Sequence, residues 1–497
     1  MKERASATFS FRLTPAQATV ISFAAAAGFT AVALLITIGY RDSKIGLLAL
    51  GGLLAGLAAV AIFLRPHWGA YLLIITLYTN MSSIFSQNGL PSINKPLVAF
   101  VLVAVIANRL ARQRPFPRLR QVELFLLLYG LVWLLSAFVA GDKSLALNQV
   151  IDFAKDFIIL LSLILALETP RHWQQALWLL VLSAAALAAM STYQVLTGNY
   201  AQTFFGFAGN SQDQVLTEVY QVRLTGPLGD PNFYGLILVT AVPLALYFFL
   251  DEKRLGLRLA ALAALLLLVF ALLNTYSRGD FLALVLILGL IALERKISPS
   301  LLAGVAVAAL LLLPFLPDSF TDRIVSLGAL GASAETAVYQ ESSFRGRASE
   351  YISGLLMFAD HPILGVGVNN YPPNYQKYSS RLGLDSRTEE REAHSLYIEI
   401  IAETGLLGLA AFTALIASLM SQLRRARQTL PAHHAASPWP RRLTALQMSL
   451  IAFLLGSIFL HGAYIRYLWL LIALGAAGIH LAYAAAAPPT KPGLVQK

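Results

Sequence analysis

The 497-residue sequence contains no cysteine, which excludes disulfides, thiolate nucleophiles and cysteine-bound metals. Charge is scarce as well: 13% of residues are Asp, Glu, Lys or Arg, against 57% hydrophobic. A soluble domain of this length has no core large enough to hide so much apolar surface, so the composition points to a polytopic membrane protein. Acidic residues are the scarcer sign, 26 against 37 Lys and Arg, leaving a formal charge of +11. The arginines cluster in short loops between apolar runs. There they read as topology signals and contacts for anionic membrane lipids, and nucleic acid is not expected as a partner. The loops expected outside carry no Asp-x-Asp or His-x-x-x-His pair, which disfavours a metal-dependent sugar transferase or a zinc hydrolase. A phosphate-cradling glycine loop of the Walker type is missing too, and neither a cofactor nor a metal is expected.

What is present is a series of apolar runs of about 20 residues, enough to cross a hydrocarbon core of ~30 Å. They fall near 19–40, 45–64, 68–85, 93–110, 122–140, 150–168, 173–196, 232–250, 257–274, 279–293, 299–316, 395–420, 443–462 and 466–485. The expected fold is an all-α membrane helix bundle of about fourteen (twelve to fourteen) spans. The first run follows Lys2, Arg4 and Arg12 and is expected to stay as an anchor. With the N-terminus inside, the arginine-rich loops at 109–120 and 421–442 and the basic loops at 251–258 and 294–298 all fall on the cytoplasmic side. Four regions follow: N-terminal spans (1–196), central spans with arginine-bearing outer loops (197–316), a long extracytoplasmic loop (317–393) and C-terminal spans (394–497). Within the long loop an interfacial helix is expected from Arg345 to Ala359, ahead of the turn Asp360-His361-Pro362.

Three outward-facing features carry the candidate chemistry. Arg223 precedes the turn Gly226-Pro227-Leu228-Gly229-Asp230-Pro231, after which Asn232 is placed to cap the next span. Tyr276-Ser277-Arg278-Gly279-Asp280 forms a short hairpin between two spans. Arginine is costly there unless it snorkels, pairs with Asp280 or holds an anion. Its planar, permanently charged fork suits phosphate. His394 opens an apolar helix with Glu389, Glu390 and Glu392 before it and Glu399 and Glu403 after it, a position suited to a general base. Asp152, Lys155 and Asp156 form a weaker constellation near the outer end of the sixth span, either self-neutralising or in contact with substrate. His361 reads as a turn residue. His461 and Arg466 read as a snorkelling pair in the last outer hairpin.

At these residues the sequence resembles the O-antigen ligase and polymerase family of bacterial membrane glycosyltransferases. The family signature is a histidine, a small polar residue, nine residues and then Gly-x-x-Gly. His394 and Ser395 with Gly405 and Gly408 match it position for position. The stretch from Asp360 to Tyr371, the Ser277-Arg278-Gly279 hairpin and the Gly229-Asp230-Pro231-Asn232 turn are also similar, so the resemblance covers about residues 220–410. It implies an undecaprenyl-pyrophosphate-linked glycan as donor, presented at the extracytoplasmic face of the inner membrane. The acceptor would be a hydroxyl on a lipid A core, a glycan or another molecule. By the same resemblance Arg223 and Arg278 would bind phosphate and His394 would be the base. Arg345, Arg347, Lys155, Asn232 and Tyr371 complete the candidate set as substrate contacts.

The chemistry agrees with a ligase-like, inverting, metal-independent transfer. Pyrophosphate leaves readily once arginines neutralise its charge, and one base activates the acceptor hydroxyl without a second carboxylate. A polysaccharide polymerase using the same donor is the alternative, and the expected span count departs from the common ligases in that direction. A flippase for the same lipid would need charges deep in several spans. Here they are confined mainly to residues 152–156. The expected topology is checked by placing single cysteines at Ser342 and Ser437 of this cysteine-free chain. An impermeant thiol reagent applied to intact cells is expected to label the first and spare the second; the reverse pattern would overturn the orientation.

Overall fold

A computed structural model describes residues 43–216, 219–298, 334–383, 389–431, 434 and 437–486. The runs expected at 19–40 and 299–316, and the loop segment 317–333, lie outside the described residues. The side chain of Arg345 lies outside them too.

The architecture is an α-helical bundle with one two-stranded hairpin. In chain order the helices are α1 (Ser43–Leu64), α2 (His67–Tyr78), α3 (Met81–Gln87), α4 (Asn94–Ala111), α5 (Gln121–Val139), α6 (Lys143–Ala166) and α7 (Pro170–Thr197). Strands β1 (Gly209–Leu216) and β2 (Val219–Gly226) follow. The chain continues through α8 (Pro231–Asp251), α9 (Leu255–Leu273), α10 (Arg278–Glu294), α11 (Ala334–Asp360), α12 (Tyr371–Ser379), α13 (Leu396–Thr429), α14 (Trp439–Gly456) and α15 (Arg466–Ala486). Nearly every expected apolar run among the described residues is one helix. The run at 68–85 is the exception: it breaks at Asn80, whose φ is 52°. Seven of the described helices are long and apolar enough to cross a bilayer: α4, α5, α7, α8, α9, α13 and α15. The expected fourteen counted runs by hydropathy, but α2 has only 12 residues and α10 only 17, and α6 carries Asp152, Lys155 and Asp156 in its middle.

Helices that are apolar all round belong inside a bundle. Accordingly α8 and α15 are buried over most of their length, whereas α9 turns much of its surface outward. The core forms where α8 packs on α9 and α14, α13 on α5, and α15 on α6. Side chains set several of the boundaries. Thr169 caps α7 ahead of Pro170, and Asp142 caps α6 through Ser144 N and Leu145 N. Asp230 accepts from Asn232 N (2.7 Å) and Phe233 N (3.0 Å) at the start of α8. The cap is therefore Asp230 and not Asn232, because the shorter reach from the residue before Pro231 meets the first two N–H groups.

Helix α13 is interrupted where the signature glycines fall. Gly405 has φ 62° and ψ −159°, a combination open in practice only to glycine. A Cβ there would stand 2.5 Å from the Ile363 carbonyl and 2.8 Å from Leu364 N. At Gly408 the obstacle is different: a Cβ would collide with Thr404 Oγ1, which donates to the Ile400 carbonyl at 2.6 Å. Gly405→Ala is thus expected to lose about 1–3 kcal/mol through backbone strain alone, with more from the clash. The damage at Gly408→Ala is relieved by adding Thr404→Ala. Thermal unfolding of the purified variants in detergent measures both, and no rescue in the double variant would refute the side-chain explanation.

Candidate functional site

The site is assembled from α11, the entry to α13, the loop between α14 and α15, and the hairpins that precede α8 and α10. Its centre is His394. This residue has φ 45°, uncommon for a side-chain-bearing residue, and this turns the chain just before α13. Its Nδ1 lies 3.0 Å from the Glu392 carbonyl and 3.0 Å from Glu350 Oε2. The carbonyl is the aligned hydrogen-bond acceptor, and the carboxylate acts through its charge. A carbonyl oxygen cannot donate, so Nδ1 carries a proton and Nε2 is the nitrogen left to exchange one with a substrate.

Glu350 is fully buried and also accepts from Arg391 Nε at 2.5 Å. Burial by itself would raise this carboxyl, but the neighbouring His394 and the bond and charge of Arg391 outweigh it and hold the pKa below the ordinary range. Burial pushes Glu392 up, against the opposing charge of His394. The expected carboxylate neighbours of His394 thus resolve differently in the fold. Its ion-pair partner comes from α11, 44 residues earlier in the chain, and not from the preceding glutamates. The sequence did hold a signal for this. Arg347, Glu350, Tyr351 and Gly354 recur at helical spacing within the expected interfacial helix, marking one face of it.

His461 is the second residue that sequence reasoning passed over. Its ring stands edge-on to His394 at 5.5 Å and to Phe233 at 4.9 Å. Burial, reinforced by the charge of His394, pushes its pKa down to about 3, so the ring stays neutral. Next to Phe233, Asn232 accepts from Arg223 Nη2 at 3.0 Å, while Arg223 Nε donates to the Thr275 carbonyl at 2.8 Å. These two bonds fix the guanidinium of Arg223 between the two hairpins.

Arg278 closes the arrangement. It begins α10 and is solvent-exposed. Crowding of its guanidinium by surrounding protein, with the positive charges of Arg347 and Arg223, lowers its pKa. Asp280, offered by the sequence as its partner, turns inward instead. It is buried 2% exposed, beside Gly235 of α8. Arg347 is exposed one turn from Tyr351, whose hydroxyl donates to the carbonyls of His394 (3.2 Å) and Ile458 (3.1 Å). Three arginines and one histidine expected from sequence therefore gather in one place.

The other candidates sit elsewhere. Tyr371 is fully buried: its hydroxyl donates to the Glu350 carbonyl at 2.5 Å and its N–H to Glu403 Oε1 at 2.8 Å. It stands behind the ion pair as support. Lys155 pairs with Asp152 at 2.6 Å within α6. His361 is exposed in the turn after α11.

Such a site can abstract a proton at Nε2 of His394 and hold a multiply charged anion a short distance away. Residues 262–413 match the family model described as O-Antigen ligase. The segment holds Arg278, Arg347, Glu350, His394, Gly405 and Gly408; Arg223 and Asn232 precede it. No curated protein matches the chain.

The depressed Glu350 carboxyl has a consequence for acid stability. The unfolded chain takes up the proton first, near pH 4.3 or about there for an ordinary glutamate. The pairs therefore stabilise the fold fully above that range, and the contribution is lost as pH falls through the lower folded value. Wild-type melting temperature is expected to fall more steeply on acidification than that of Glu350→Gln. Parallel curves from scanning fluorimetry would show that the carboxylate is not paired in solution.

Proposed function

We propose that the protein is a metal-independent, inverting glycosyltransferase. It moves a glycan from an undecaprenyl-pyrophosphate carrier to an acceptor hydroxyl on the extracytoplasmic face of the bacterial inner membrane, as an O-antigen ligase does. The observation that carries this reading is His394, its Nδ1 held by the Glu392 carbonyl and beside Glu350, next to the cluster of Arg223, Arg278 and Arg347. The ligase-family segment supports it.

In this reading the arginines receive the pyrophosphate. Three positive groups set close together repel one another, and a multiply charged anion relieves that repulsion while gaining bidentate hydrogen bonds. The acceptor hydroxyl gives its proton to His394 Nε2 as its oxygen attacks the anomeric carbon. The bond from that carbon to the pyrophosphate oxygen breaks on the opposite face, so the configuration inverts. Glu350 stabilises the imidazolium that results, and the guanidinium groups neutralise the departing phosphate charge. No ion beyond the arginines is needed for that neutralisation. Asn232 acts through Arg223 and Tyr371 through Glu350, and Arg345 remains a proposed substrate contact. A polymerase would use the same base and clamp with a second lipid-linked glycan as acceptor.

The test uses purified protein, a lipid-linked glycan and candidate acceptors. His394→Ala should lower transfer at least ~10²-fold while donor-lipid binding stays close to wild type. Arg278→Lys should weaken donor binding and transfer roughly 10- to 150-fold, because an ammonium does not reproduce the bidentate fork. Glu350→Gln should lower turnover with little change in donor KM. Near-wild-type transfer by folded His394→Gln would remove the histidine from the reaction. Comparison of lipid A core and lipid-linked glycan as acceptors separates ligase from polymerase.

A further inference from the structure

The end of the bundle opposite His394 carries a second cationic site. Around a cavity of about 830 Å³ stand Arg109, Arg114, Arg118, Arg120 and Arg425, with Glu168 as the one lining carboxylate. Glu168 is taken by Arg114 at 2.5 Å, with Arg109 at 3.9 Å. Among the described residues no carboxylate lies within ion-pair distance of Arg118, Arg120 or Arg425. Arg120 is held with its guanidinium 4.0 Å above the Tyr483 ring. The buried Nε atoms of Arg109 and Arg120 have no hydrogen-bond partner. The site is thus a preformed concentration of positive charge that Glu168 neutralises only in part.

A second observation identifies the kind of anion. From this cavity, α5 climbs toward the histidine site with Leu124, Leu127, Leu128, Leu131, Leu135 and Phe138 all exposed. Their spacing of three and four residues makes one continuous apolar stripe along the helix. The stripe starts at the cavity wall, where Leu124 is itself a lining residue. It runs for most of a helix of 19 residues, about 28 Å at 1.5 Å per residue. A soluble anion would use only the arginines. A phosphate joined to hydrocarbon chains would use both.

We propose that this cavity binds the phosphodiester headgroup of an anionic phospholipid, with its acyl chains laid along the α5 stripe. Under the proposed orientation the headgroup belongs to the cytoplasmic leaflet. Arg118 and Arg425, exposed at the mouth, meet the phosphate oxygens, and Arg120 on Tyr483 forms the inner wall. The lipid would join α5, α13 and α15 at the end where their mutual contacts leave a gap. The site is separated from the transfer chemistry by the length of α5, so its test stands apart from that reading.

Native mass spectrometry of the purified full-length protein, exchanged with phosphatidylglycerol or phosphatidylcholine, measures the preference. Wild-type protein is expected to retain phosphatidylglycerol at least roughly tenfold better, as loss of charge-assisted contacts implies. Arg118→Gln with Arg425→Gln should erase that preference while leaving lipid-free thermal unfolding unchanged. Lys253→Gln with Arg254→Gln, which removes two exposed charges elsewhere, should leave it intact. Equal retention of the two lipids, an unaffected Arg118/Arg425 variant, or equal loss in the Lys253/Arg254 control would overturn the proposal. Displacement of phosphatidylglycerol by excess inorganic phosphate or pyrophosphate would also overturn it, by assigning the cavity to a soluble anion.

Discussion

Two carboxylates one turn apart on α13 hold the rest of the site in place. Glu399 accepts from Gly462 N and Ala463 N, both at 3.0 Å. Glu403 accepts from Asn369 N and Tyr371 N, both at 2.8 Å. Both side chains are buried to about 1% exposure. Buried carboxyl groups without partners would destabilise the fold severely. The chain instead wraps two loops around them so that backbone N–H groups meet the oxygens. One loop carries His461 against His394; the other carries the turn that leads into α12. Both loops are thereby tied to the same helix turn that His394 precedes.

That anchoring explains how a site can be built from segments so far apart in the chain. Asn370 bonds both to Asp142 N at 2.7 Å and to the Asp142 carbonyl at 3.1 Å, fastening the glycine-rich turn to the start of α6. Ser136 of α5 donates to the Glu403 carbonyl at 2.8 Å. The Leu396 N–H reaches the carbonyls of Ser457 and Leu460. Each bond satisfies a backbone group at a helix end or a turn, where it would otherwise be orphaned in an apolar setting. The result is a collar of hydrogen-bonded loops, and the imidazole in its proposed role needs such support to keep one nitrogen aimed at a substrate.

Electrostatically the two ends of the bundle share one device. At the His394 end, Arg223, Arg278 and Arg347 lie close enough for their charges to act on Arg278. At the opposite end, a second group of arginines lines a cavity. Carboxylates orient neighbours at both ends, as Glu350 does behind His394 and Glu168 does between Arg109 and Arg114.

Hydropathy alone determined most of the helices. In lipid a long apolar run must satisfy its own backbone, so its length and composition nearly dictate a helix. The arginines at 223 and 278 and the histidine at 394 were legible for a related reason: a charged or titratable group at the rim of an apolar helix has few structural uses. The helical spacing of Arg347, Glu350, Tyr351 and Gly354 marked a face without showing that it closes on His394, and His461 read as a snorkelling residue. A glutamate on an amphipathic loop helix and a histidine in a short hairpin look like solvated residues until the loops are closed over them. The roles of Glu399 and Glu403 were hidden in the same way, since sequence neighbours of His394 turn out to face away from it. Tertiary structure decided which carboxylate meets the imidazole, because that pairing depends on the path of a loop around α13. A helical period fixes only which residues share a face.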